Sequence, residues 1–313
     1  MDVSRFVIES AIFTRATLLG NPSRWLIFIL LGLPWMALSA LMEGRQILDG
    51  NIIHWALIPW EEAGLLIGAG LLCNLILSGW VVRLLRDDPV PPEFSRPLLL
   101  CLDGIKVQTI PLVWMLVPSV LAFVQYTVAG SSTVTINVWP PDPATIVILV
   151  LLIFQILLIF IAVQYVTIGI IRFARTGSVS EGLAILEIKK TIDRIGIVHY
   201  FIALGVIALV WMLFSVAIRV VALMPFAGPL LSLCMSPVPT VYCFRFMAHY
   251  CDEERLSGGA VEAGTGTVPA PAPISVRALM TELLVWLLIL AVLVFLCFTP
   301  LVLVFGAVFR FLP

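Results

Sequence analysis

The sequence predicts an all-α integral membrane protein, a polytopic bundle of about seven transmembrane helices. Hydrophobic residues make up 61% of the chain and charged residues only 12%, about half the share of roughly 25% that soluble domains carry. The apolar residues also fall into seven runs, each close to the ~20 residues that a helix needs to cross the hydrocarbon of a bilayer. Such a composition excludes a soluble globular protein.

The chain divides into four predicted segments. Residues 1–24 form a cytoplasmic N-terminal amphipathic segment, predicted as a helix lying on the bilayer, with a frayed terminus as the alternative. Residues 25–251 form a six-span membrane domain, and residues 252–277 a Gly-, Pro- and Ala-rich cytoplasmic linker that cannot build a packed core. Residues 278–313 hold an additional C-terminal transmembrane helix.

Apolar runs give each span its expected bounds. The seven ranges are Trp25–Met42, Ala63–Leu85, Ile110–Ala129, Ala144–Ile171, Val198–Ile218, Phe226–Phe246 and Leu279–Phe298. Proline removes a backbone donor and clashes with the preceding turn. We therefore expect Pro34 to kink the first span, and Pro229, Pro237 and Pro239 to interrupt the sixth.

Two central connections join these spans and hold amphipathic patterns. After Pro97, apolar residues repeat at helical spacing opposite Asp103 and Lys106, which predicts a short helix in the membrane plane. The run from Ser178 to Gly196 predicts a second such helix, with an apolar face of Ile185, Ile188, Ile192 and Ile195. Its start, Ser178-Val-Ser-Glu181, has the pattern of a capping box.

Positive charge fixes the predicted orientation. Arg45, Arg219 and Arg310 fall in one set of loops and the C-terminal tail, while the rest of the 18 Lys and Arg residues fall in the other set. Cytoplasmic loops carry the excess of positive charge. We therefore expect a multi-pass protein of the cytoplasmic membrane, with its N-terminus in the cytoplasm and its C-terminus outside.

The central connections also carry a resemblance to a known family. Three elements form the first match: Gly79-Trp80 followed by Arg83, then Pro92-Glu93-Phe94, then Asp103-Gly104-Ile105-Lys106. These residues resemble the first signature of domain-of-unknown-function family 4013, mostly archaeal membrane proteins. Arg172-Phe-Ala-Arg-Thr-Gly-Ser178 looks like its second signature.

The resemblance covers roughly Trp25 to Tyr250. It implies a cytoplasmic-membrane protein of unassigned activity and lends no catalytic residue. The seventh span and the linker lie outside the six-span pattern usual in the family. The two signatures together suggest an internal tandem repeat, in which each unit has a span, a basic turn, an in-plane helix and a returning span. Both units have the same orientation, as in the parallel repeats of some transporters.

Catalytic chemistry finds no support in the residue pattern. His54, His199 and His249 are scattered, and no metalloprotease, hydrolase or phosphate-loop motif occurs. We therefore predict no enzyme, no catalytic or metal residues and no cofactor. The net charge of -1 gives no reason to expect nucleic acid as a partner.

The basic turns favour a role at the membrane surface. Residues predicted to contact anionic lipid headgroups are Arg83, Arg86, Arg172, Arg175, Lys189 and Lys190. The alternative is that they only set the topology. Polar residues within the spans, predicted to make interhelical contacts, are Asn74, Gln155 and Gln164.

The resulting hypothesis is a non-enzymatic membrane protein that organises lipid, or docks an unidentified protein partner, at the cytoplasmic face. A transporter of a lipid-like or amphipathic solute is the alternative. An integral-membrane enzyme is a third class, for which the sequence supplies no acid, base or metal set.

Overall fold

The computed structural model is built almost entirely of helices. It describes residues 3–45, 47–49, 52–54, 57–86, 91–129, 143–224, 227–257 and 276–308. The helices are α1 (Val3–Leu18), α2 (Pro22–Gly44), α3 (Trp60–Leu85), α4 (Pro97–Ala129), α5 (Pro143–Thr176), α6 (Val179–Gly182), α7 (Ile185–Ile195), α8 (Ile197–Ala222), α9 (Gly228–Met235), α10 (Pro237–Ser257) and α11 (Val276–Val308). A two-residue strand pair, β1 (Leu48–Asp49) and β2 (Ile52–Ile53), lies between α2 and α3.

Seven helical stretches of the described chain are long and apolar enough to cross a membrane. They are α2, α3, α4, α5, α8, the pair α9 and α10, and α11. The predicted class, a multi-pass helical membrane protein with seven spans, is confirmed. The seventh span, α11, continues through Pro300 to Val308. Most of the predicted linker, residues 258–275, lies outside the described residues.

The first predicted in-plane helix is not a separate element. Pro97 begins α4, which runs without interruption for 33 residues to Ala129 and includes Pro111 and Pro118. The turn before it falls at Arg96, whose φ is +58°. Pro97 suits a first helical position, where its missing N–H has no partner to lose. At 1.5 Å per residue α4 is about 50 Å long, so it exceeds the ~30 Å of hydrocarbon by several turns.

Close backbone contact holds α4 against α3. A Cβ at Gly79 of α3 would collide with the Leu100 carbonyl, and a Cβ at Gly104 of α4 would collide with the Leu75 carbonyl. Both positions therefore require glycine, because any side chain would push the two helices apart. These glycines belong to the first family-like signature, and the packing explains why that signature contains them.

An aromatic cluster closes the same end of α3. Trp80 is fully buried, and its indole Nε1 donates to the Pro92 carbonyl at 2.9 Å. Phe94 stacks on Trp80 with ring centroids 5.5 Å apart, and Phe28 meets Trp80 edge-on at 4.9 Å. The cluster fixes residues 91–96 beside the start of α2 and the end of α3, so side chains rather than regular secondary structure anchor the proline-rich connection.

The second predicted in-plane helix is present as two elements, α6 and α7. Ser178 occupies the N-cap position of α6 but makes no side-chain cap bond, and the Glu181 carboxylate pairs with Arg172 instead. The capping-box prediction is therefore wrong. On α7 the predicted apolar face is confirmed for Ile188, which is fully buried, whereas Ile185 is 55% exposed. The chain leaves α7 at Gly196, whose φ of +85° favours glycine.

The sixth span breaks where α9 meets α10. Pro237 lacks an N–H, so the Leu233 carbonyl loses its helical donor. The Ser236 hydroxyl donates to that carbonyl at 2.9 Å, and the Trp25 indole donates to the Cys234 carbonyl at 2.9 Å. The predicted interruption is confirmed at Pro237, whereas Pro229 lies in the first turn of α9 and Pro239 in the first turn of α10. Protein groups bond two of the carbonyls beside the break.

The N-terminal helix is docked on the bundle. Phe6 of α1 contacts Tyr250 of α10 edge-on at 6.2 Å, and the guanidinium of the buried Arg245 lies 4.3 Å from the Phe13 ring centroid. Ile8 and Ile12 are exposed on the other side of α1. The predicted helix is confirmed, and its aromatic face is covered by α10.

Candidate functional site

The predicted arginines all lie at one end of the bundle, which we call the basic end. It is defined by Arg83 and Arg86 at the end of α3 and by Arg172 and Arg175 at the end of α5. The first turns of α4, together with α6 and α7, lie beside these residues. The structure thus brings the four predicted arginines together, and Lys189 and Lys190 lie on α7 at the same end of the fold.

Arg83 and Arg86 are bound to neighbouring protein groups. Arg83 donates from Nη1 to the Ser95 carbonyl at 3.1 Å, and Arg86 donates from Nε to the Ala174 carbonyl at 3.0 Å. Asp103 lies 3.9 Å from Arg83 and 3.7 Å from Arg86. This carboxylate holds both guanidinium groups over the start of α4.

Arg172 and Arg175 repeat this arrangement in the second unit. Arg172 donates from Nε to the Glu181 carbonyl at 3.3 Å, and its Nη2 lies 2.5 Å from a Glu181 carboxylate oxygen. Arg175 donates to the Ala248 carbonyl at 3.3 Å. The first arginine of each pair fastens the following connection, while the second reaches the backbone of another helix. These contacts give the arginines a structural role in addition to any role toward lipid.

A polar cavity of about 200 Å³ opens beside the second arginine pair. Its walls come from the end of α5, one face of α7, and Cys251 of α10. Three arginines and two threonines line it: Arg172, Arg175, Arg194, Thr176 and Thr191. A guanidinium carries five N–H donors in a rigid fork that suits phosphate oxygens. The cavity therefore has the chemistry to bind an anionic group.

Sequence reasoning misses Arg194 as a site residue. The periodicity places it on the polar face of the second in-plane helix, and nothing in the spacing distinguishes it from Lys189 or Lys190. In the structure it shares the cavity wall with Thr191, one turn earlier on α7. The signal that could have found it is this (i, i+3) pair, which places both side chains on one face of the helix.

Lys189 and Lys190 lie on the exposed side of α7, away from the cavity lining. The Lys190 ammonium lies 2.7 Å from a Glu187 carboxylate oxygen, and its hydrogen bond lowers the pKa of Glu187. Glu187 therefore remains ionised beside Lys190 at neutral pH and partly offsets the positive charge of α7.

A further ion pair at the basic end involves the seventh span. Lys106 of α4 pairs with Glu282 of α11 at 2.5 Å, and its ammonium lies 5.9 Å from the Trp286 ring centroid. The Lys106 side chain is 17% exposed. Sequence reasoning places Lys106 on the polar side of an in-plane helix and does not connect it to α11, because their separation in sequence gives no signal for the contact.

The predicted interhelical amides occupy three different environments. Asn74 is exposed on α3 and lines a second cavity, and Gln155 is half-buried on α5. Gln164 accepts a hydrogen bond from the Tyr200 hydroxyl at 3.0 Å through its backbone carbonyl, while its side-chain Oε1 is buried without a partner in the described chain. An interhelical amide contact that the structure shows joins Gln108 to Ser78 at 2.9 Å, and sequence reasoning misses it.

Acidic and metal-binding side chains are dispersed. Within the described ranges, no three His, Cys, Asp or Glu residues come together as a metal site would require. The three histidines follow this pattern, since His54 precedes α3, His199 lies in α8 and His249 in α10.

Comparison with known proteins identifies the family. A family model described as "Protein of unknown function (DUF4013)" matches residues 63–226, just over half of the chain. The chain belongs to this family. The DUF4013 region begins in α3 and continues past the end of α8, so it contains both arginine pairs and the arginine-lined cavity apart from Cys251. No curated protein and no solved structure matches the chain.

Proposed function

We propose that this DUF4013 protein is a non-enzymatic membrane protein that binds anionic lipid headgroups at its basic end. The observation that carries the proposal is the cavity in which Arg172, Arg175 and Arg194 meet. Its volume of about 200 Å³ is below the ~300–1,000 Å³ of small-molecule pockets. It therefore suits a phosphate-bearing headgroup whose tails stay in the bilayer.

The surroundings of the cavity support a lipid as the source of that anion. Ile185 and Leu186 at the start of α7 and Ile197 and Val198 at the start of α8 are all more than half exposed. Apolar residues flanking a polar site suit the boundary between headgroups and acyl chains. Lys189 and Lys190 add exposed positive charge on the same helix.

Orientation is part of the proposal. Within the described chain, Arg45 and Arg219 lie at the end opposite the basic end, whereas the two arginine pairs and the lysines of α7 lie at the basic end. The positive-inside rule then puts the basic end in the cytoplasm and the lipid site in the cytoplasmic leaflet. Anionic lipids of that leaflet attract each nearby Lys or Arg by about 1 kcal/mol.

Transport of a lipid-like or amphipathic solute is the alternative. It rests on the suggested parallel repeat and on the broken sixth span, since discontinuous helices expose ligand-binding carbonyls in transporters. Here Leu233 and Cys234 at the break already accept hydrogen bonds from Ser236 and Trp25. The break therefore gives less support to a transported ligand than the arginine cavity gives to a bound headgroup.

A lipid-retention experiment tests the proposal. The protein is placed in nanodiscs of phosphatidylglycerol and phosphatidylcholine, and the lipids that it retains are counted by native mass spectrometry. We expect Arg194→Gln to weaken phosphatidylglycerol retention about fivefold, the equivalent of about 1 kcal/mol. Arg194 is chosen because it is the exposed arginine of the three, whereas the part-buried Arg172 and Arg175 bond the Glu181 carboxylate and the Ala248 carbonyl.

Two control variants separate the cavity from general surface charge. Arg219→Gln removes an exposed arginine at the opposite end and should leave retention unchanged. Lys189→Gln with Lys190→Gln removes exposed charge outside the cavity and should have a smaller effect than Arg194→Gln. Wild-type retention in a folded Arg194→Gln protein, or equal losses in all three variants, would contradict a headgroup site in the cavity.

A further inference from the structure

A second cavity lies inside the spans, separate from the arginine-lined one. Four helices, α3, α4, α5 and α10, leave about 230 Å³ between them. Asn74 lies near the middle of the 26-residue α3, so the cavity extends toward the centre of the bilayer. Of the ten lining residues Asn74 is the exposed one, and it marks the mouth of the cavity on the outer surface of the bundle.

Polar side chains from three helices meet in this cavity. Asn74 and Ser78 lie one turn apart on α3, facing Gln108 of α4 and Thr240 of α10. Gln108 donates from Nε2 to the Ser78 hydroxyl at 2.9 Å, and Thr240 donates to the Ser236 carbonyl in its own helix at 3.4 Å. No residue of the described chain forms a hydrogen bond with the Asn74 amide. Asn74 and the side-chain carbonyl oxygen of Gln108 thus remain available as donor and acceptors.

This arrangement favours a partner from outside the chain. An amide without a hydrogen bond in hydrocarbon is strongly unfavourable, because no water is present to satisfy it. The remaining walls are apolar and include Leu77, Val81 and Phe244. Among the described residues that line the cavity none is charged, so a ligand with a net charge would be desolvated there without a counter-charge.

We infer that this cavity is a binding site for a neutral amphiphile that carries a hydroxyl or carbonyl group, such as a long-chain alcohol. The head of the ligand would exchange hydrogen bonds with Asn74 and Gln108, and its hydrocarbon chain would leave through the mouth at Asn74 into the bilayer. The volume of the cavity fits such a head rather than a whole lipid. The inference is independent of the headgroup site at the basic end, which is lined by arginines and selects the opposite class of ligand.

Photocrosslinking in nanodiscs tests the inference. The probe is a hexadecanol analogue with a diazirine beside the hydroxyl, and the matched probe is the corresponding fatty acid, which carries a charge. We expect the alcohol to label the α3 and α4 peptides around Ser78 and Gln108, and unlabelled hexadecanol to compete in a saturable way. We expect labelling by the fatty acid to be about tenfold weaker.

Variants at matched positions complete the test. Asn74→Leu with Gln108→Leu should reduce labelling by the alcohol about tenfold, since each lost hydrogen bond weakens binding several-fold. Gln155→Leu removes an amide from a span without lining the cavity and should leave labelling unchanged. If the double variant does not fold, saturable competition and probe selectivity in the wild-type protein decide the question.

Three results would overturn the inference. They are equal labelling by both probes, labelling that unlabelled hexadecanol does not reduce, and crosslinks between two copies of the chain through Cys substituted at Asn74. The last result would show that a second copy, rather than a ligand, satisfies the amide.

Discussion

Single glycines at the basic end determine how closely the helices approach. Gly79 faces the Leu100 carbonyl, and Gly169 of α5 faces the Gly182 carbonyl of α6 in the second unit. In each unit, a glycine near the end of one span contacts the backbone of the segment that follows. The arginines that come one or two turns later can then reach that segment with their side chains. Glycine and arginine therefore act together at this end of the fold.

Substitution at Gly79 provides a test at the scale of one residue. Gly79→Ala puts a methyl group into the Leu100 carbonyl, and we expect it to lower the free energy of unfolding by about 1–3 kcal/mol, as overpacking typically does. Gly68→Ala in the same helix is the control, because a Cβ at that position would meet no atom of a neighbouring element within 4 Å. Unfolding in mixed micelles measures both, and equal stability of the two variants would contradict the contact.

At the scale of elements, α11 is held to the bundle along α4. Its candidate span, Arg277–Val294, has no buried residue, so few of its apolar side chains are enclosed by protein. Lys106 pairs with Glu282 and lies over the Trp286 ring, so it makes two polar contacts between these helices. We therefore expect this pair to set how α11 docks.

Charge reversal tests the docking of α11. Lys106→Glu should weaken association of α11 by roughly 1 kcal/mol, about fivefold, because two carboxylates then face each other. The double variant Lys106→Glu with Glu282→Lys should restore it. The measurement is retention of α11 after cleavage at a protease site inserted between residues 258 and 275. Full retention in Lys106→Glu would show that apolar packing alone holds the helix.

At the scale of the whole molecule, the charged residues divide between the two ends of the bundle. Arg86 to Ala174 joins α3 to α5, Arg175 to Ala248 joins α5 to α10, and Lys106 to Glu282 joins α4 to α11. The ion pair of Arg45 with Glu62 lies at the opposite end, between α2 and α3. In the proposed orientation, all of the helix ends joined by the first three contacts therefore lie together on the cytoplasmic side of the membrane.

Site-directed labelling tests that orientation. Single cysteines replace Ser180 or Arg96 at the basic end and Glu43 at the opposite end, all three being exposed positions. We expect a membrane-impermeant maleimide added outside intact cells to label only the Glu43→Cys protein, and all three after the membrane is opened. The background carries Ser in place of the native cysteines. Outside labelling of Ser180→Cys or Arg96→Cys would reverse the proposed topology.

Much of the architecture is predictable because hydrophobic runs act locally. A segment of about twenty apolar residues must form a helix in hydrocarbon, since its backbone groups have no other partners there. This rule gives the seven spans, while amphipathic spacing gives α1 and Pro237 gives the break in the sixth span. The reasoning fails after Pro97, where amphipathic spacing suggests a separate helix but the packing of Gly104 against α3 and the unbroken α4 make it part of a span.

The membrane class, the number of spans, the family and the clustering of positive charge follow from the order of amino acids alone. The folded arrangement of the helices settles which polar groups meet: Arg194 with Arg172 and Arg175, Lys106 with Glu282, and Asn74 with Gln108 around the inner cavity. The two kinds of property depend on interactions over different distances along the chain. Hydropathy and charge bias act on each segment separately, whereas a binding site depends on side chains from helices far apart in the chain, and their distances are set by how the helices pack.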